Sequence, residues 1–238
     1  MGISNQPSFD EYCFTQIPEI VSLLKRIAKV ASVLHAHGWA EANAGNLSIR
    51  IGSIVKPRLK QIGIDWAESE LYLVSKSGSR FRDIADEPAS GLMLVKVSDI
   101  EEYFPAIAKP TSEWNCHRLI HKSDLTTSYP CILHTHPTEI IALSQTALYR
   151  DEKALNSHLA QLLPELPLYL PNGIATTNYQ KPGSKELAEL SCRKFGDKQA
   201  LIWEGHGLLC RAESIDEALD YVEIVNKAAK LHFLVGSC

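Results

Sequence analysis

The apolar positions of the chain change period several times, and each change marks an element. Ile20, Val21, Leu24, Ile27, Ala31 and Leu34 recur at helical spacing. Pro18 suits the first turn of that helix and Gly38 its C-terminal stop. Past Gly38 the pattern shortens. "NLSIRIG" from Asn46 alternates like a half-buried strand, "ELYLVSKSG" reads as a strand entering a Ser/Gly loop, and "LMLVKVS" over 92–98 as a third. "KPTSEWNCHRLIHK" reads as a loop entering a helix, with Thr111 or Ser112 at the N-cap. "CILHTHP" is a strand. "TEIIALSQTALYR" and "KALNSHLAQLL" have helical spacing, and "LPLYLP" reads as a short strand before the Asn172-Gly173 turn. "SKELAELSCRKFG" is a helix closed by Gly196. "QALIWEGHGLLCRA" is two apolar runs about a Gly-His-Gly break. A long helix from Ser214 closes the chain, with Ser214 and Glu217 spaced for a capping box.

The strands between 46 and 98 leave no room for intervening helices, so an antiparallel sheet is expected there. Helices on both sides predict an α/β chain of three layers, α/β/α, about a mostly antiparallel sheet. With no internal repeat, low-complexity tract or long linker, one domain over 1–238 is the simplest organisation.

Composition narrows the function. Of 238 residues, 45% are hydrophobic, enough for a substantial core, and 22% are charged. A net charge of -4 gives no basic field for nucleic acid or an anionic membrane. No apolar run reaches the roughly 18 residues of a bilayer span. The N-terminus lacks the basic-then-apolar order of a secretory signal, and "MGISNQ" fits a myristoylation pattern only loosely. Six scattered cysteines without a CxxC pair read as reduced thiols in a cytoplasm, with Cys238 exposed at the end.

The candidate chemistry lies in the histidines and the small-residue loops. Residues i and i+2 of a strand share a face, so His134 and His136 project together near its mouth, where Pro137 ends it. Two imidazoles so placed can share one cation, or they can be an ordinary hydrogen-bonded pair. His206, between two glycines, would bring the number to the three ligands common at a catalytic zinc; a plain hairpin turn is the alternative. His117 and His121 form a rival i, i+4 pair, but a helix with a polar edge carries such residues for structural reasons alone. Glu113 stands at a helix start, favoured by the helix dipole whether or not it does chemistry. "AGNLS" and "SKSGS" are loops of small side chains and backbone amides that can hold a phosphate with little cationic charge.

"AGNLSIR", "SKSG", "PTSEW", "HTHP" and "GHGLL" occur in the order found in the class II aldolase/adducin family, and the chain resembles that family from about residue 20 to 234. Within it, "GWAEANAGNLSIRI", "SGSRFRD" followed by "GLMLVKV", and "PNGIA" look most like the L-rhamnulose-1-phosphate aldolases. The resemblance implies a C4 homotetramer with active sites at subunit boundaries, and zinc-dependent retro-aldol cleavage of a sugar phosphate. For L-rhamnulose 1-phosphate the products would be dihydroxyacetone phosphate and L-lactaldehyde. It implies one zinc ion per subunit on His134, His136 and His206, with Glu113 as catalytic acid/base. It assigns the phosphate to Asn46, Ser77, Gly78, Thr111 and Ser112, with Asn43 and Gly45 lining the site. Glu165, in "PELPLYLPNG", matches a second glutamate reached from a neighbouring subunit, although Asn172 replaces the family's Asp; the other reading is a surface glutamate between two prolines.

Two departures bear on the substrate. The segment "GSIVKPRLKQIGIDWAESE" is short for a rhamnulose-phosphate enzyme, and relatives often carry a further C-terminal segment over the site. An L-fuculose-1-phosphate aldolase or a pentulose-phosphate 4-epimerase would use the same residues. A non-enzymatic adducin-like module would lack the metal ligands, and all three histidines are present here.

Overall fold

Eight strands form one sheet in the computed structural model, which describes residues 9–124, 128 and 130–236. The chain starts with α1 (Phe9–Gln16) and α2 (Pro18–Ala36), followed by β1 (Asn46–Arg50), α3 (Gly52–Gln61), β2 (Glu70–Ser75), α4 (Phe81–Asp86) and α5 (Pro88–Gly91). Next are β3 (Leu92–Val97), β4 (Glu101–Phe104), α6 (Trp114–Ser123), β5 (Cys131–Thr135), α7 (Thr138–Leu143) and a 3-10 turn at Leu148–Arg150. The rest is α8 (Glu152–Leu162), α9 (Leu166–Tyr169), β6 (Ile174–Thr177), α10 (Lys185–Phe195), β7 (Ala200–Trp203), β8 (Gly207–Ala212) and α11 (Ile215–Gly236). The strand order is β4-β3-β2-β1-β5-β8-β7-β6, antiparallel throughout except for the parallel β6–β7 pair.

Alternation along the strands makes the three layers. Leu47 and Ile49 of β1, Leu133 of β5 and Ile202 of β7 face the larger core, with α2, α8 and α11. Ile132, Leu201, Trp203 and Leu209 face the other way, under α6 and α10. A third cluster joins Tyr72, Val74, Met93 and Val95 to Trp114 at the start of α6. The β1 face toward α6 is polar instead. Asn46 Nδ2 donates to Glu113 Oε2, Ser48 Oγ lies 2.9 Å from His117 Nδ1 and 2.8 Å from His121 Nε2, and Arg50 donates to the carbonyl of His121. Three alternate residues of a strand thus meet three residues at i, i+4 and i+8 of a helix. His117 and His121 are spent in this seam on Ser48.

Several expectations change. The interval between β1 and β2 does hold a helix, α3, and that between β2 and β3 holds two short ones; the strands still pair antiparallel, each connection leaving and re-entering the sheet at the same end of the strand pair. "LPLYLP" is a turn of helix and not a strand: Leu163, Leu166 and Leu170 are buried at helical spacing. The helix after "PTSE" starts at Trp114 with Glu113 at its N-cap position, so neither Thr111 nor Ser112 caps it. Thr111 is held upstream, its N–H donating to Ser75 O (2.9 Å), and its Oγ1 accepts from Glu113 N–H at 3.4 Å. At α11, Glu217 N–H donates to Ser214 Oγ (3.2 Å), but the Glu217 carboxylate accepts from Glu213 N–H (2.7 Å), one residue upstream of the capping-box partner. Cys13, Cys116, Cys131 and Cys210 are buried free thiols. "MGISNQ" and Cys238 lie outside the described residues. Among those residues, no helix is long and apolar enough to cross a membrane.

Candidate active site

The end of β5 meets the β7–β8 hairpin at the sheet's centre, and three imidazoles converge there. Their ring centroids lie 4.7 to 5.0 Å apart, each pair edge to face. One ring nitrogen from each of His134, His136 and His206 falls within 4.8 Å of the others. His134 Nδ1–H donates to Leu208 O at 2.9 Å, so its Nε2 carries a lone pair. His136 Nε2 lies 2.9 Å from that nitrogen. Two lone pairs so close repel, and a proton or a cation between them removes the conflict. Burial, then the other two histidines, holds His134 well below the ordinary imidazole value. Burial lowers His136, against Glu41, and brings His206 to about 4. All three are neutral at pH 7, the form that ligates a metal.

Backbone geometry makes room for the cluster. Gly207 is register partner to Trp203, and a Cβ on it would lie 2.3 Å from Thr135 O, 3.0 Å from His136 Cδ2 and 3.1 Å from His134 Cε1. Gly45 has φ +72°, and a Cβ there would meet His134 O at 2.8 Å. The donor chemistry and this cleared space fit a three-imidazole metal centre.

Glu113 faces the cluster from the start of α6, only 4% exposed. Its Oε2 lies 3.5 Å from His134 Nε2 and its Oε1 3.5 Å from His206 Nε2. Burial pushes its carboxyl up to about 7, opposed by the 3.1 Å hydrogen bond from Asn46 Nδ2. A group with that affinity both accepts and releases protons near neutrality.

A cavity of about 190 Å³ opens over Glu113 and the three histidines. Asn43, Gly45, Asn46, Ser77, Gly78, Thr111 and Ser112 all line it. Glu165 does not: it is exposed at the N-cap of α9 and absent from the cavity of its own chain. Sequence reasoning passed over Lys76, Ser79 and Pro182 in the wall, and Glu41, whose Oε1 lies 3.5 Å from His136 Nδ1. Lys76 sits inside "SKSGS", yet its ammonium is turned to the carbonyls of Ala89 and Ser90 and anchors the loop. Glu41 sits in "WAEANAGN", five residues before Asn46, with no spacing signal to mark it.

The sequence profile described as Class II Aldolase and Adducin N-terminal domain matches residues 25–233. The chain belongs to this family. Among its relatives, the rhamnulose-1-phosphate aldolase of Bacteroides thetaiotaomicron is 27% identical over 90% of this chain and 86% of its own length. That of Listeria welshimeri is 29% identical, over 90% and 83%. The crystal structure of a sugar-phosphate aldolase from Thermotoga maritima superposes with a TM-score of 0.79 at 30% identity, covering 92% of this chain and 97% of the other. The class II aldolase fold expected from the motifs is the one observed.

Proposed function

We propose that the chain is a zinc-dependent aldolase that cleaves L-rhamnulose 1-phosphate to dihydroxyacetone phosphate and L-lactaldehyde, acting in the cytoplasm as a single-domain subunit of a C4 homotetramer. The observation that carries this reading is Glu113: a buried carboxyl whose two oxygens lie 3.5 Å from His134 and His206, two of three converging imidazoles. The two rhamnulose-1-phosphate aldolase relatives support the choice of sugar.

Zinc on His134, His136 and His206 would supply a Lewis acid for the negative charge that develops as C3–C4 breaks. Glu113 accepts the C4 hydroxyl proton through a carboxylate oxygen and, as acid, protonates C3. Asn46 keeps that carboxyl aimed at the cluster. The phosphate lies among Asn46, Ser77, Gly78, Thr111 and Ser112, beside Asn43 and Gly45, away from the reacting bond. Holding it there fixes the carbon chain and lowers the entropic part of the barrier. Glu165, exposed and outside the cavity of its own subunit, serves the neighbour's site and shares the proton traffic there.

The test is a coupled assay for dihydroxyacetone phosphate with L-rhamnulose 1-phosphate, before and after chelation, with zinc added back. Release that chelation abolishes and zinc restores is the expected result. A zinc-loaded protein that releases none rejects this sugar and moves the assignment to L-fuculose 1-phosphate or to a pentulose-phosphate 4-epimerase. A purified protein that takes up no zinc returns the non-enzymatic, adducin-like reading.

A further inference from the structure

Among the described residues, two of the three imidazoles are oriented by polar partners, and the third is not. His134 donates from Nδ1 to the carbonyl of Leu208, and His136 Nδ1 faces the Glu41 carboxylate. His206 Nδ1 is buried without a hydrogen-bond partner among the described residues. A histidine ligand ordinarily gives its second nitrogen to an acceptor that fixes the ring. The ring of His206 instead lies on the face of Trp203, centroids 5.0 Å apart and planes inclined by 23°. The same indole touches His134, at 4.6 Å and 49°. Trp203 is itself pinned, 1% exposed at the end of β7, with Nε1–H donating to Ser191 Oγ at 2.8 Å. Ser191 is fixed in turn by donating to Leu187 O within α10.

We propose that Trp203 is the positioning residue of this metal centre, substituting an aromatic face for the missing polar partner of His206, and that Ser191 sets the plane of the indole. This deepens the metal reading of the site and rests on it. The physical reason for an indole is electronic as well as steric. Coordination withdraws charge from an imidazole, and a ring made partly positive is held more strongly by the negative face of a neighbouring aromatic, most of all tryptophan. The stack is therefore stronger with metal than without, and it contributes to metal affinity in addition to shape. A residue that only filled space would contribute equally to both states.

The experiment titrates the metal-free protein with Zn2+ against a chromogenic chelator and records the visible spectrum of the Co2+ form. Trp203→Leu is expected to weaken zinc binding by about 10- to 100-fold and to alter the Co2+ bands, with Trp203→Phe intermediate. Ser191→Ala, which removes one hydroxyl and keeps the indole, tests the same idea where Trp203→Leu fails to fold; it is expected to weaken zinc binding by about 3-fold or more, and Ser191→Thr to restore it. Folded Trp203→Phe and Ser191→Ala variants with wild-type zinc affinity and Co2+ spectra overturn the proposal while leaving the metal centre standing. A wild-type protein that takes up no zinc overturns the metal reading itself.

Discussion

Gly207→Ala isolates the geometry of the candidate metal centre without touching a ligand. The added methyl would start 2.3 Å from Thr135 O, a backbone atom of the paired strand. Reaching a bearable 3.0 Å requires the end of β8 to withdraw from β5 by about 0.7 Å or more. Thr135 is in register with Leu208, and His206 immediately precedes Gly207, so the withdrawal separates His206 from His134 and His136. Metal sites tolerate ligand errors of about 0.2 Å. The strain costs about 1–3 kcal/mol, which lowers the melting temperature by about 2–12 °C in a chain of this size. Zinc affinity should fall by about 100-fold, beyond what the lost stability explains. Chelator competition reads the affinity, and calorimetry with and without zinc reads the stability. Gly236→Ala, whose methyl meets nothing within 4 Å among the described residues, is the control and should leave both unchanged. A Gly207→Ala protein that binds zinc like wild type refutes the claim that this glycine clears the space for the cluster.

Glu113→Gln should keep stoichiometric zinc and lose about 100-fold or more in cleavage, with full turnover in the purified variant contradicting its role as base. Tyr149→Phe should cost about 1–3 kcal/mol in urea unfolding, because the buried hydroxyl donates toward Thr177 O and Ile202 O and accepts from Thr177 N–H, tying β6 to β7. Acid should weaken the fold through His117, which burial holds at about 3. The unfolded chain takes up a proton at about 6.5 that the folded chain refuses, so stability is intact above that value and declines as pH falls toward 3. Between pH 7 and pH 5 this amounts to about 2 kcal/mol, and His117→Gln should remove that share of the loss. An identical pH dependence in the variant would show that His117 is not the group.

What the sequence made legible was whatever local period or spacing encodes. His134-Thr135-His136 at a strand end, Gly205-His206-Gly207 between two apolar runs, and the small-residue loops all came together in one cavity. The helix α3 was missed because its amphipathic pattern is weak and Pro57 sits inside it. "LPLYLP" was misread because an apolar run bounded by prolines suits a strand as well as a turn of helix; only packing chooses, through Leu163, Leu166 and Leu170. β6 carries no alternation, since both faces of "IATT" are buried. Trp203 looked like the end of a hydrophobic strand, and its contacts with His134 and His206 depend on hairpin geometry that no spacing announces.

The placement of the three imidazoles also sets a timetable. The HxH pair closes β5, whereas His206 follows seventy residues later, and the two meet only because β8 pairs with β5. A growing chain that has not yet emitted β8 offers the ion two nitrogens and no enclosure. On the proposed metal reading, capture of the ion is a late event, after synthesis has passed Ala212 and the centre of the sheet has closed. Apolar clusters on both faces hold the sheet together without the ion; under the proposed metal dependence, a cell short of metal would accumulate finished, inactive protein, and activity would return on resupply without new translation.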